Sequence, residues 1–394
     1  MTMHPTEEII SKKHWTQEGH ENRITFLEDY TQTSLPYLAG KKTFTDLPSL
    51  KGNIEQYIGM TQIPTGVIGA IKLKGKDAEG DFFVPMATSE GALVASYHRG
   101  ALACSKAGGV HAVVVHENVQ RCPIFKFADL STALAFIQWV ESQKHLFSAI
   151  VAQHSRFAQL NNVKFTIEGN AVIITFDYYT GDAAGQNMVT VCTEAICQFI
   201  ENQSPIAIAA WYIDGNFSGD KKIRGAAFAL PRGKYVTAEV ILPRNIVEQD
   251  LRTTPEKFVD FWQSSVVGAA QMASLGINAH FPNGLAAMFI ACGQDAACVS
   301  EACMGIARAD LTPTGDLYGS VTLPNLIVGT VGGGTALPTQ QECLRIMGCE
   351  GTGKSRKFAA ICAAVLLAGE FSIAAAISGG YFSKAHKLYG RKKS

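Results

Sequence analysis

The stretch Lys164-Phe-Thr-Ile-Glu-Gly-Asn-Ala-Val-Ile-Ile-Thr-Phe176 decides how this chain is read. Two runs rich in β-branched and aromatic residues flank Gly169-Asn170, a turn pair that lets the chain double back as a hairpin. Upstream, Asp129 or Ser131 can cap a helix running through Glu141, and His111-Ala-Val-Val-Val115 is strand-like. Downstream, Asn187 to Glu201 reads as a helix and Ile206 to Ile213 as a returning strand. The order β-α-β-β-α-β is the ferredoxin-like split motif. The expected fold class is therefore α+β, with a ferredoxin-like unit at 122–213 inserted into a large mixed α/β domain made of 53–121 and 224–394. A loop at 214–223 connects the two, and 1–52 forms a small N-terminal helical region. In the large domain, 235–242 and 317–327 read as strands, and 283–305 and 356–380 as long alanine-rich helices.

The bulk numbers agree with a globular enzyme. The chain has 394 residues, 47% of them hydrophobic and 17% charged, enough for a large core and more than one domain. Lys+Arg and Asp+Glu both number 34, so no net charge draws the chain to nucleic acid or to an anionic membrane. The first residues lack the apolar run of a signal peptide. Ten cysteines without a C-x-x-C pair read as buried thiols in a reducing, cytoplasmic setting, and the histidines lack metal-ligand spacing. The apolar run 358–376 is long enough to span a bilayer, but Glu370 interrupts it and alanine and glycine dominate, so a core helix is expected.

Three places put ionisable residues where the surrounding text is small and apolar. Glu90 stands in Met86-Ala-Thr-Ser-Glu-Gly-Ala-Leu-Val-Ala-Ser96, and Asp295 in Phe289-Ile-Ala-Cys-Gly-Gln-Asp-Ala-Ala-Cys-Val299. Asp220-Lys221-Lys222 follows a glycine-bearing loop. A carboxylate that loses water must find a partner or shift its pKa, so two carboxylates and a lysine together would make a proton-transfer site. Gly329-Thr-Val-Gly-Gly-Gly-Thr335 and Thr180-Gly-Asp-Ala-Ala-Gly-Gln-Asn187 are loops that let backbone N–H groups approach a ligand, though a tight turn explains them equally well. Neither is a dinucleotide fingerprint. Gly348-Cys-Glu-Gly-Thr-Gly-Lys-Ser355 satisfies the P-loop pattern, but the text before it reads as a helix where a phosphate loop needs a strand.

Taken together, these blocks resemble the hydroxymethylglutaryl-CoA reductase family, in its soluble class I type, from about Asn53 to Arg391. Ile63-Pro-Thr-Gly-Val-Ile-Gly69 is similar to the family's first signature, near its CoA site. Ala87 to Ser96 matches the catalytic-glutamate block, Gly219-Asp-Lys-Lys222 the lysine block, Ile290 to Ala297 the aspartate block, and Val328 to Thr335 the glycine loop. Ser383-Lys-Ala-His386 resembles the carboxy-terminal histidine block. The resemblance implies catalytic roles for Glu90, Lys221, Asp295 and His386. It implies that Arg121, Asp214, Asp220, Lys222 and Asn283 face the acyl substrate. It further implies that Ser155, Arg156, Phe157, Asp182, Asn187, Gly332, Gly333 and Gly334 meet NADPH, with Arg156 suited to the 2′-phosphate. A homodimer or higher assembly with shared sites is implied too, acting on an acyl-CoA substrate.

The chemistry accounts for these residue types. Hydride attack on a thioester leaves negative charge on oxygen, which a fixed cation such as Lys221 stabilises. A departing thiolate needs a proton that an imidazolium, His386, can give near neutral pH. The final alkoxide needs a proton from a carboxyl such as Glu90, with Asp295 holding Lys221 and Glu90 in register. The chain departs from the family pattern at Ala184, where methionine is usual, and at Ala385, where serine is common. At Lys392 regulated relatives carry a phosphorylated serine. Asp214 stands where a neutral serine is usual, and a carboxylate there would repel an anionic substrate. A reductase of a related acyl thioester, or a non-catalytic protein of the same fold, are the other readings.

Overall fold

The computed structural model describes residues 15–383. In chain order, α1 (Gln17–Thr31) precedes an antiparallel pair, β1 (Thr65–Lys74) and β2 (Gly80–Ala87). Helix α2 (Leu93–Lys106) returns the chain so that β3 (Val110–Arg121) lies parallel to β1. Then come β4 (Ile124–Lys126), α3 (Leu130–His154), β5 (Gln159–Glu168), β6 (Ala171–Tyr179), α4 (Gln186–Gln203) and β7 (Ala210–Tyr212). The rest follows as β8 (Gly233–Leu242), α5 (Arg244–Gln249), α6 (Pro255–Gln271), α7 (Phe281–Ala291) and α8 (Val299–Ala302). The last elements are β9 (Ile306–Leu311), β10 (Leu317–Leu326), α9 (Pro338–Ile346) and α10 (Ser355–Ser378).

The quoted hairpin is β5 and β6, paired from Gln159–Tyr179 to Glu168–Ala171 around the Gly169-Asn170 turn. Strands β7, β4, β6 and β5 lie in that order, all antiparallel. Val172, Ile174 and Phe176 are buried along β6 with Phe136, Phe147 and Ile196 of the two helices. The mixed α+β class is as expected. Four boundaries differ. His111–Val115 is not the first strand of the split motif: it belongs to β3, whose residues 111–118 pair with β8 in the large sheet and whose Val119–Arg121 pair with β6. The first strand of the small unit is β4, after Pro123 breaks the run. Helix α3, capped by Asp129 accepting the Thr132 N–H, continues to His154. Strand β7 keeps only three residues, because the Ser204 hydroxyl accepts the Ile206 N–H and ties that residue into a turn.

The large unit orders its strands β2-β1-β3-β8-β10-β9. Helix α10 fills its core, buried without interruption from Phe358 to Ser372. The apolar run that could span a bilayer is thus enclosed by its own chain, as burial of alanine-rich surface favours. Its neighbour α2 comes so close that a Cβ on Gly100 would meet the Ala368 carbonyl oxygen at 1.8 Å. The expected helix over 283–305 is broken: α7 stops at Ala291, Gly293 turns the chain at φ +66°, and a short 3-10 turn and α8 follow. Helix α1 packs on the large unit through Ile24 and Leu27, which meet Phe83 and Ile346.

Candidate active site

Between β7 and β8 the chain runs through Asp214–Lys222, with Asn216, Gly219 and Lys221 at φ +57°, +73° and +55°. A lysine held in the left-handed region is uncommon, and such positions gather at functional sites. Lys221 Nζ lies 3.0 Å from Asp295 Oδ2. Asp295 is aimed there by the break after α7, where its carboxylate also accepts the Ala297 N–H at 3.0 Å. The hydrogen bond that the Lys221 ammonium donates to Asp295 raises the lysine's pKa, opposed by partial burial. Both side chains are roughly half exposed, so the pair adds at most about 1 kcal/mol to stability. Its effect is to fix where a positive charge stands.

Beneath this loop lies a network that the sequence reading missed. Arg232 and Glu301 are fully buried, 2.5 Å apart. Glu301 Oε1 accepts the Lys221 backbone N–H at 3.0 Å. Burial pushes the Glu301 carboxyl up against the pull of Arg232. Arg232 NH2 stands 3.2 Å from Asp220 Oδ1, close in charge terms but outside hydrogen-bond angles. Asp220 Oδ2 is 3.7 Å from Arg121 NH2, and Arg121 NH1 donates to Asp214 at 2.7 Å. Glu301 carries the signal used for Glu90 and Asp295, a carboxylate in the small apolar text Cys298-Val-Ser-Glu-Ala-Cys303, and it alone of the three is buried.

Glu90 and Asp295 themselves are exposed, so the expectation that apolar text buries them is corrected. The text is apolar because it builds the helices and turns around them. Glu90 takes a partner in Asn283, whose Nδ2 donates to Oε2 at 3.2 Å. Both line a groove of about 1300 Å³ that runs along α2, with Val94, His98, Arg99 and His280 on its walls. Among the described residues, no hydrogen bond or ion pair joins Glu90 to Lys221 or Asp295. One chain thus brings Asp295 to Lys221 and leaves Glu90 with Asn283. Lys222 is exposed and reaches the Asp220 carbonyl at 3.3 Å. His386, with Ala385 and Lys392, lies outside the described residues.

The loops assigned to the cofactor meet one another. Gly293 and Gly334 touch so closely that a Cβ on Gly293 would meet the Gly334 carbonyl oxygen at 2.2 Å. The glycine loop is thereby set against the Asp295 turn. Gln294 brackets Gly329, donating to its carbonyl at 2.9 Å and accepting its N–H at 2.8 Å. Gly332 and Gly333, at φ +78° and +53°, have open space where a side chain would stand. Asn187, Arg156 and Phe157 are exposed on the small unit, Arg156 beside the Phe157 ring, while the Ser155 hydroxyl accepts the N–H groups of Phe157 and Ala158. The Asp182 carboxylate is engaged within the chain: it accepts from the N–H groups of Gly353, Lys354 and Ser355 at 2.6, 3.0 and 3.0 Å. The P-loop-like text is the loop between α9 and α10, and Asp182 sits where an anion would.

Comparison with known proteins gives the chain its relatives. A profile of the family described as hydroxymethylglutaryl-coenzyme A reductase matches residues 19–391. The chain is 45% identical over 346 residues to the 3-hydroxy-3-methylglutaryl-coenzyme A reductase of Pyrococcus abyssi, covering 86% of this chain and 85% of that one. Its identity to the Aeropyrum pernix protein of the same name is 41% over 376 residues, covering 94% and 89%. Among solved structures, the class II 3-hydroxy-3-methylglutaryl-CoA reductase from Streptococcus pneumoniae bound to NADPH shares the fold, with a TM-score of 0.74 at 20% identity over 93% of this chain and 98% of that one. The match spans nearly the whole sequence, and this chain belongs to the hydroxymethylglutaryl-coenzyme A reductase family.

Proposed function

We propose that the protein reduces 3-hydroxy-3-methylglutaryl-CoA to mevalonate and free CoA, in two steps, with NADPH. The observation that carries this reading is the Lys221–Asp295 pair, 3.0 Å apart on two loops bent by left-handed residues and too exposed to serve stability. The open backbone at Gly332 and Gly333 and the exposed Arg156, Phe157 and Asn187 fit a dinucleotide with an added phosphate. When bound, NADPH supplies the two hydrides. Lys221 holds a positive charge against the oxygen that becomes negative, a contribution of about 3–4 kcal/mol for a donor of this kind. Asp295 keeps that ammonium charged and directed. Glu90 protonates the final alkoxide, and His386 the departing thiolate. Arg121, Lys222 and Asn283 hold the acyl end, with Asp220 steadying Arg121. The Gly219-Asp-Lys-Lys222 block supports the class I type, and ten free thiols, nine of them buried, support a cytoplasmic setting.

Glu90 and Lys221 act at one reacting group, so a second copy of the chain completes each site: Glu90 and Asn283 come from one subunit, Lys221 and Asp295 from its partner. The separation of the two sets within one chain supports this arrangement. A related acyl-CoA is the second reading, favoured by the Asp214 carboxylate already on Arg121. The test mixes two inactive variants, Glu90→Gln and Lys221→Ala, after dissociation and reassociation. In a two-fold dimer, half of the sites in mixed pairs carry both native residues, so about a quarter of the native activity returns. Mixtures that stay inactive would sink the shared site. A ratio other than two NADPH oxidised per CoA released would sink the two-step reduction.

A further inference from the structure

Resting on the reading of Lys221 as the catalytic cation, we propose that Glu301 and Arg232 are positioning residues: they set the backbone of Lys221 so that its ammonium meets Asp295. Four residues close a ring. Glu301 accepts the Lys221 N–H at 3.0 Å, Arg232 NH1 donates to Glu301 at 2.5 Å, Arg232 NH2 stands 3.2 Å from Asp220, and Asp220 is bonded to Lys221. Two members of the ring are completely buried, and the Arg232 N–H is itself fixed by Asn325 of β10 at 3.1 Å. The ring is therefore anchored to the sheet, while the residue it holds, at φ +55°, is one that a lysine rarely adopts unaided.

The chain order strengthens the case. Asp295 and Glu301 stand on one short segment after the break at Gly293, and that segment grips Lys221 twice, by the ammonium and by the N–H. A buried ion pair is seldom the most stable choice for a core, since apolar residues of similar volume serve as well or better. A role in placing one backbone N–H accounts for keeping it. The charged and titratable groups facing Lys221 are Asp295, Asp220 and Cys298. A slip of its backbone away from Asp295 would therefore lower the pH at which the lysine loses its proton.

The experiment compares the full-length Arg232→Met/Glu301→Met double variant, which removes both charges without leaving either unpaired, with Glu301→Gln, whose amide oxygen can still accept the Lys221 N–H. With hydroxymethylglutaryl-CoA and NADPH, the double variant is expected to stay folded and to keep both KM values within about twofold. Its kcat should fall about ten- to a hundredfold, the loss that a misplacement of about 1 Å brings. The basic limb of its kcat profile should move to lower pH, and Glu301→Gln should recover most of the loss. A folded double variant with native kcat and an unmoved basic limb would overturn the proposal, as would a loss that only follows the unfolded fraction. Lys221→Ala separates the two layers: activity surviving there defeats the catalytic reading itself, whereas an inactive Lys221→Ala beside a native-like double variant defeats this inference alone.

Discussion

Asp214 holds Arg121 with one oxygen and the Asn216 N–H of its own loop with the other, at 2.7 and 2.8 Å. Its charge is absorbed locally, on the arginine assigned to the substrate's carboxylate. The guanidinium also faces Asp220, so a third carboxylate must displace one already present. Asp214→Ser keeps an acceptor for Asn216 and removes that competitor. Its KM for hydroxymethylglutaryl-CoA is expected to fall about tenfold, which corresponds to about 1.4 kcal/mol of relieved competition, with kcat within twofold. A KM that is flat or higher would show that Arg121 does not grip the acyl end. At this scale the sequence was half legible. Lys221 and Asp295 were read as partners because each stands in a block of recognisable spelling. Arg232 was not found, since its partner Glu301 is remote in sequence and nothing around Pro231-Arg-Gly233 marks it. Asp214 was read as a departure that would repel an anionic substrate, and its partner was not found, because Arg121 is remote in sequence and the contact has no local signature.

Helix α10 is the element on which the large unit is built, and Asp182 closes its N-terminus from the small unit. Three N–H groups that would otherwise lack partners meet one carboxylate, which also suits the positive end of the helix dipole. Burial pushes the Asp182 carboxyl up, but these hydrogen bonds outweigh it and the pKa is lowered. A carboxyl depressed in the folded state adds stability above its unfolded pKa of about 3.9, and loses it as pH falls through the folded value. Asp182→Ala is therefore expected to cost about 1–2 kcal/mol at pH 7. In urea unfolding the gap to the native chain should narrow below about pH 4. A gap of constant size across that range would mean the loss comes from packing rather than from the charged cap. Elements with a local cause were read well. Gly169-Asn170 specifies its turn and Asp129 its cap. The break at Gly293 was missed because the apolar text runs on through Cys298, and only the φ of a glycine separates a helix from a helix–turn–helix there. Strand β3 was missed as a strand of two sheets because no glycine or proline marks a boundary between Val110 and Arg121.

At the scale of the whole molecule, the small unit is held inside the large one by that strand. Asn118 pairs with Gly233, and everything from β4 to β7 lies between them. Joining β3 to β8 means closing a long loop, and the entropy of closure is smaller once the intervening chain has already folded and brought its ends together. Helix α10, the centre of the large core, is also the last described helix to leave the ribosome, and domains tend to fold as units in order of synthesis. The two facts give one order of assembly: hairpin and small unit first, then the β3–β8 ladder, then closure of the large core around α10. Pulsed hydrogen exchange during refolding should protect the amides of β5 and β6 before those of β10 and α10, and simultaneous protection would refute the order. During synthesis, a nascent chain that has passed β10 carries a finished small unit beside an open shell. The faces of β1, β8 and α2 that await α10 are then the surfaces on which holdase chaperones would act, and the interval between the emergence of β10 and of Ser378 is when the protein is most exposed to aggregation.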